Sequence, residues 1–81
     1  MKIKVKFFAI LRERAGTAEL TKEIGDGSTV ADLWQALQQD YPKLNVAGIR
    51  LLYAVNQHYV SPESRLKDQD EVVFIPPVSG G

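Results

Sequence analysis

The sequence predicts a two-layer α+β domain: a mixed sheet of about five strands packed on one main helix. Three observations carry this prediction. "KIKVKF" at residues 2–7 alternates lysine with apolar side chains, the period of a half-buried strand. Val30, Leu33, Trp34, Leu37 and Tyr41 then recur at helical spacing. "DEVVFI" returns to strand composition directly before Pro76 and Pro77, which cannot donate to a ladder and end the sheet.

In the first strand Ile3, Val5 and Phe7 share one face, and Lys2, Lys4 and Lys6 the other. Phe8 continues the lysine face, so parity keeps it out of the core. "AILRERAGTA" reads as a short turn or a single helical turn, broken at Gly16. "AELTKEI" alternates through Leu20 and Ile24 and reads as a second strand, antiparallel to the first. Asp26, Gly27 and Ser28 form a turn. Thr29, with Asp32 three residues on, matches a capping box, and Pro42 ends the helix near Tyr41. Asp32, Gln35, Gln38 and Gln39 leave one side of that helix solvated. "RLLYAVNQHYV" is a third strand region, with Asn56-Gln57 as a turn and His58 to Val60 as a short return strand. "SPESRLKDQDE" is a polar loop whose Leu66 drops back into the core, and Lys67, Asp68 and Asp70 make a polar turn within it. In the last strand Val72 and Phe74 oppose Val73 and Ile75. The order is β-β-α-β-β-β, and a right-handed crossover lets the first and last strands pair side by side. Residues 1–75 form the domain and 76–81 an extended tail.

Composition narrows the function. Lys and Arg number 10 and Asp and Glu number 10, a balance unlike the basic excess of a general nucleic-acid binder. There is no cysteine, which excludes disulfides, thiolate metal sites and thiol nucleophiles. A lone histidine, His58, cannot build a metal site and reads as an exposed loop residue. The alternating N-terminus lacks the apolar run of a signal peptide, and no stretch approaches the length of a membrane span. A cytoplasmic protein with no membrane partner is expected. No Ser-His-Asp set, phosphate loop or metal-ligand spacing is present, so the chain is expected to have no catalytic power alone. Trp34 and Tyr41 are core residues. Arg12, Glu13 and Arg14 are a solvated charge cluster, a local ion pair or a contact for another enzyme.

The ending "FIPPVSGG" is the distinctive feature. Pro76 and Pro77 favour a stiff, extended conformation that lifts the chain from the sheet. The six residues from Pro76 to Gly81 reach roughly 20 Å at about 3.3 Å each. Gly80 and Gly81 fit a narrow channel and accept any backbone angle imposed there. The carboxylate of Gly81 is a poor electrophile until activated, most simply as an acyl-adenylate, after which sulfur or amine nucleophiles can attack. The tail thus reads as a substrate for another enzyme, against the plainer alternative of a frayed terminus.

Parity also points to a docking face. If Val72 and Phe74 face the helix, Val73 and Ile75 lie exposed beside Phe8, and Tyr59 extends the patch. Exposed apolar patches mark interaction surfaces, unless loops cover these residues as satellite core.

The strand order with a free Gly-Gly end resembles the ubiquitin-like β-grasp family. Within it, "FFAILRERAG", "AVNQ" and "DEVVFIPPVSGG" resemble the small, sulfur-carrying subunits of molybdopterin synthases over essentially the whole chain. The resemblance implies a sulfur carrier in molybdenum cofactor biosynthesis. The carboxylate of Gly81, presented by Gly80, would be adenylated by an E1-like activating enzyme that consumes ATP. It would then receive sulfur from a donor protein as a thiocarboxylate. No permanently bound cofactor is implied. Phe8, Tyr59, Ile75, Pro76, Pro77, Val78 and Ser79 would contact the large, catalytic subunit in a 2+2 heterotetramer. There the sulfur would pass to a cyclic pyranopterin monophosphate. Two dithiolene sulfurs require two loaded carriers. The alternatives are a carrier of the thiamine pathway or a ubiquitin-like protein modifier.

Overall fold

The computed structural model describes residues 1–45 and 50–77. Strand β1 (Lys2–Phe7) leads into a short helix α1 (Ile10–Ala15), closed by Gly16 in the left-handed conformation. Strand β2 (Glu19–Glu23) and the long helix α2 (Val30–Asp40) follow. A single 3-10 turn (Pro42–Leu44) precedes strands β3 (Leu52–Val55), β4 (His58–Val60) and β5 (Glu71–Ile75). The sheet order is β2-β1-β5-β3-β4. Strands β1 and β5 pair in parallel at the centre, and every other pairing is antiparallel.

The expected capping box forms. Asp32 N–H donates to Thr29 Oγ1 at 3.2 Å, and Thr29 N–H donates to Asp32 Oδ2 at 3.0 Å. The Leu66 loop completes the cap: Val30 and Ala31 N–H groups donate to the carbonyls of Ser64 and Pro62. The first turn of α2 therefore leaves few donors unsatisfied. Leu66 itself is buried, as its isolation in a polar loop predicts.

One face of the sheet packs on α2. Ile3, Val5 and Phe7 of β1, Val72 and Phe74 of β5, and Val30, Leu33 and Leu37 of α2 share one buried cluster. Phe74 is its centre, with ring centroids 4.9 Å from Trp34, 5.8 Å from Tyr53 and 6.2 Å from Phe7. Lys22 pairs with Ile3 and so falls on the helix side of the edge strand. Its side chain is only a quarter exposed, and its Nζ reaches Asp40 Oδ2 at 2.6 Å, closing the end of α2.

Two features depart from the sequence reading. The 3-10 turn buries Leu44 completely, a core position outside the periodic stretches. Pro76, expected to begin the free tail, is instead buried, and Pro77 is the first exposed residue after β5. A proline ring carries no N–H to leave unpaired, so it can be buried at the end of a strand without losing a hydrogen bond.

Candidate functional site

The sheet face away from α2 divides into two halves. Register places Lys2, Lys4 and Lys6 of β1 opposite Glu23, Thr21 and Glu19 of β2. Lys6 Nζ also lies 3.5 Å from Glu71 Oε2 on β5. This half is charged, with the two signs interleaved. On the other half Val73 pairs with Ala54, Ile75 with Leu52, and Ala54 with Tyr59, which puts all five side chains on one apolar surface. Tyr59 is 73% exposed and Leu52 is 52% exposed. Val73 and Ile75 are half-buried, while Ala54 is buried beneath its neighbours.

Phe8 stands one step beyond the last β1–β5 pair, Phe7 with Phe74, and is 50% exposed. It lines an open groove of about 520 Å³ with Lys6, Ala9, Arg12 and Glu19. Leu52, Tyr59, Val60 and Pro62 line a second, smaller groove of about 280 Å³ across the sheet. The apolar half-face thus ends at the root of the tail, where Ile75 runs into Pro76 and Pro77. Val78, Ser79, Gly80 and Gly81 lie outside the described residues.

Sequence parity finds Tyr59, Val73 and Ile75 on this surface, whereas Phe8, expected beside Val73 and Ile75, is exposed in the separate groove with Lys6, Arg12 and Glu19 at the charged half. It misses Leu52 and Ala54, which sit in the unbroken apolar run "LLYAV". Pairing that run antiparallel to "VVFI" would have found them. Arg12, Glu13 and Arg14 are exposed and do not pair with one another, and Arg14 Nη1 donates to the Lys43 carbonyl at 3.2 Å.

The polar turn before β5 is a hydrogen-bond hub. Asn56 Nδ2 donates to Asp70 Oδ1 at 2.9 Å, and Asn56 Oδ1 accepts from Glu71 N–H at 3.0 Å. Asp70 Oδ2 accepts from Lys67 N–H at 2.8 Å. Asp68 Oδ1 accepts from Lys2 N–H at 2.7 Å, and this bond holds the Asp68 carboxyl below the usual aspartate range. The "AVNQ" segment therefore clamps the β3–β4 hairpin to the start of β5. Among the described residues no polar or charged side chain is buried, and no group of His, Cys, Asp or Glu could hold a metal ion. No helix among them is long and apolar enough to cross a membrane.

A mixed sheet grasping one long helix, with a parallel central pair and a last strand that leads into the C-terminal stretch, defines the class: a ubiquitin-like β-grasp protein. The ThiS family matches residues 5–81. The molybdopterin synthase sulfur carrier subunit of Escherichia coli is 48% identical over 98% of this chain and 99% of its own. SAMP1 from Haloferax volcanii superposes with a TM-score of 0.89 at 26% identity, covering both chains completely. A complex of subunits 1 and 2 of molybdopterin-converting factor from Helicobacter pylori contains a chain with a TM-score of 0.68 at 25% identity, again over both full lengths. The chain belongs to the ThiS family, among the molybdopterin synthase sulfur carrier subunits.

Proposed function

We propose that this protein carries sulfur on its C-terminal glycine for molybdopterin synthesis. In the first step the Gly81 carboxylate attacks the α-phosphorus of ATP on an E1-like activating enzyme and releases pyrophosphate. Hydrosulfide released by a donor protein then attacks the acyl carbon and displaces AMP, so that a C–S bond replaces the C–O bond to AMP and the thiocarboxylate is left. The loaded tail enters the large subunit of the synthase, whose side chains perform the chemistry. The sulfur passes to a cyclic pyranopterin monophosphate, and two carriers in a 2+2 heterotetramer supply the two dithiolene sulfurs. The chain has no cysteine, so its own side chains offer no competing sulfur site.

One observation carries the reading: the apolar half-face of Leu52, Tyr59, Val73 and Ile75 lies at the root of the tail. A partner that grips this face receives the last residues in the same encounter. Phe8, Tyr59, Ile75 and Pro77 are the proposed contacts, followed by Val78 and Ser79, with Gly80 and Gly81 in the active-site channel. Pro76 is buried here and is therefore not among the exposed contacts. The Helicobacter pylori complex supports a second subunit as the partner.

The likeness to small archaeal modifier protein 1 favours a second reading, a ubiquitin-like modifier whose last acyl group is joined to lysine amines of other proteins. Deleting Gly80 and Gly81 tests the proposal. The truncated chain is expected to fold normally and to fail to restore molybdoenzyme activity in cells lacking the native copy. Restored activity would refute the carrier role. Chain attached covalently to other proteins, without thiocarboxylate, would favour the second reading.

A further inference from the structure

We propose that Ala9 is a positioning residue whose constrained backbone holds Phe8 outward for docking. The inference rests on the docking reading above and adds the element that orients one of its contacts. Ala9 has φ 54° and ψ −127°. Phe8 C=O accepts from Leu11 N–H at 3.1 Å, so residues 8–11 close a β-turn with Ala9 at its first central position. Those angles are those of a type II′ turn, where glycine is the ordinary occupant. The Cβ of alanine makes the conformation strained, and unlike Asn56 in its own positive-φ turn, Ala9 has no polar side chain to compensate.

The strain persists because both sides of the turn are anchored. Phe7 is buried on one side, with its N–H on the Ala18 carbonyl at 2.8 Å. Leu11 is buried on the other side, and Arg12 N–H donates to the Ala9 carbonyl at 3.1 Å. Between these anchors the chain reverses, and Phe8 is left half exposed at the mouth of its groove. Glycine would make the same turn without strain but would open a broad range of backbone angles, so Phe8 would sample several directions. Within the positive-φ region that the two anchors impose, the alanine Cβ leaves a narrower window of angles than glycine would. The partner feature that fits is an apolar pocket on the large subunit shaped for a single aromatic ring. A ring ordered in advance loses less freedom on binding.

Two variants of the full chain, tested with the large synthase subunit, separate positioning from stability. Ala9→Gly is expected to raise the melting temperature by about 3–6 °C through strain relief. It is also expected to weaken binding by about three- to tenfold, as a loss of binding entropy in calorimetry. Chemically synthesised Ala9→D-Ala, whose preferred φ is positive, is expected to gain the same stability and keep wild-type affinity. The amide order parameter of Phe8 is expected to fall only in the glycine variant. A glycine variant that binds as tightly as wild type, or one that melts lower, would overturn the proposal while leaving the docking face intact. Failure of the wild-type chain to bind the large subunit would overturn the docking reading and this inference together.

Discussion

Replacing Tyr59 by alanine tests the apolar half-face most sharply. Tyr59 is 73% exposed, so its loss removes little from the folded core. A tyrosine offers about 150–250 Å² to a partner, which leaves roughly 110–180 Å² still to be buried at an interface. At about 25 cal/mol per Å² that area corresponds to roughly 3–4.5 kcal/mol at most. Ordering the side chain costs about 1 kcal/mol of this, and burial at an interface is seldom complete. A loss of about 2 kcal/mol, close to thirtyfold in Kd, is therefore expected for the large subunit. Calorimetric titration reads the affinity, and urea denaturation reads the fold. The unfolding midpoint is expected to move little, since Tyr59 sits on the short edge strand β4. Unchanged affinity with an intact fold would refute the placement of the interface. A large drop in stability would show that Tyr59 belongs to the core.

Other substitutions probe the frame behind that surface. Asn56→Gly keeps the positive φ of the turn but removes both side-chain hydrogen bonds, at a cost of about 2 kcal/mol. Asn56→Ala is expected to cost about 1 kcal/mol more, because the alanine Cβ resists the left-handed region. Equal midpoints for the two variants in urea would show that the left-handed backbone at residue 56 costs alanine nothing. Gln57 has φ 71° in the same two-residue turn, so Gln57→Gly is expected to stabilise by about 0.5–1 kcal/mol, read as a higher melting temperature. The Asp68 carboxyl has a lower pKa folded than unfolded, because Lys2 N–H donates to it. Its contribution is thus present above the unfolded value and lost as pH falls below about 4. Asp68→Asn should flatten that part of the acid-unfolding profile, and an unchanged profile would show that the Lys2 contact does not act on folding.

Local periodicity explains which parts of the fold were legible in the sequence. The lysine alternation in β1 set the faces of Ile3, Val5 and Phe7, and with them the exposure of Phe8. The alternation of Val72 and Phe74 against Val73 and Ile75 did the same for β5. The capping box and Pro42 bounded α2 because each acts through its own backbone. Leu52 and Ala54 were hidden because an unbroken apolar run has no parity of its own, and only pairing with β5 assigns it a face. Leu44 and Pro76 were hidden for a related reason: their burial depends on what packs over them, not on their neighbours in sequence. Lys22 shows the limit of hydropathy on an edge strand. It occupies a core-side position because its stem is apolar and Asp40 waits at the rim. For the site, the surface was legible as chemistry, while the Ala9 turn was not, since nothing in "FFAIL" announces a positive φ at alanine.

Sulfur carriage on the Gly81 carboxylate, as proposed, makes the last acyl group the reactive centre. Intact mass spectrometry tests it directly, after incubating the full chain with ATP, the activating enzyme and a sulfur donor. The expected result is a mass gain equal to the exchange of one oxygen for sulfur, mapped by fragmentation to Gly81 and absent without ATP. An unchanged mass under conditions that load a known carrier, or a gain located on any other residue, would contradict it.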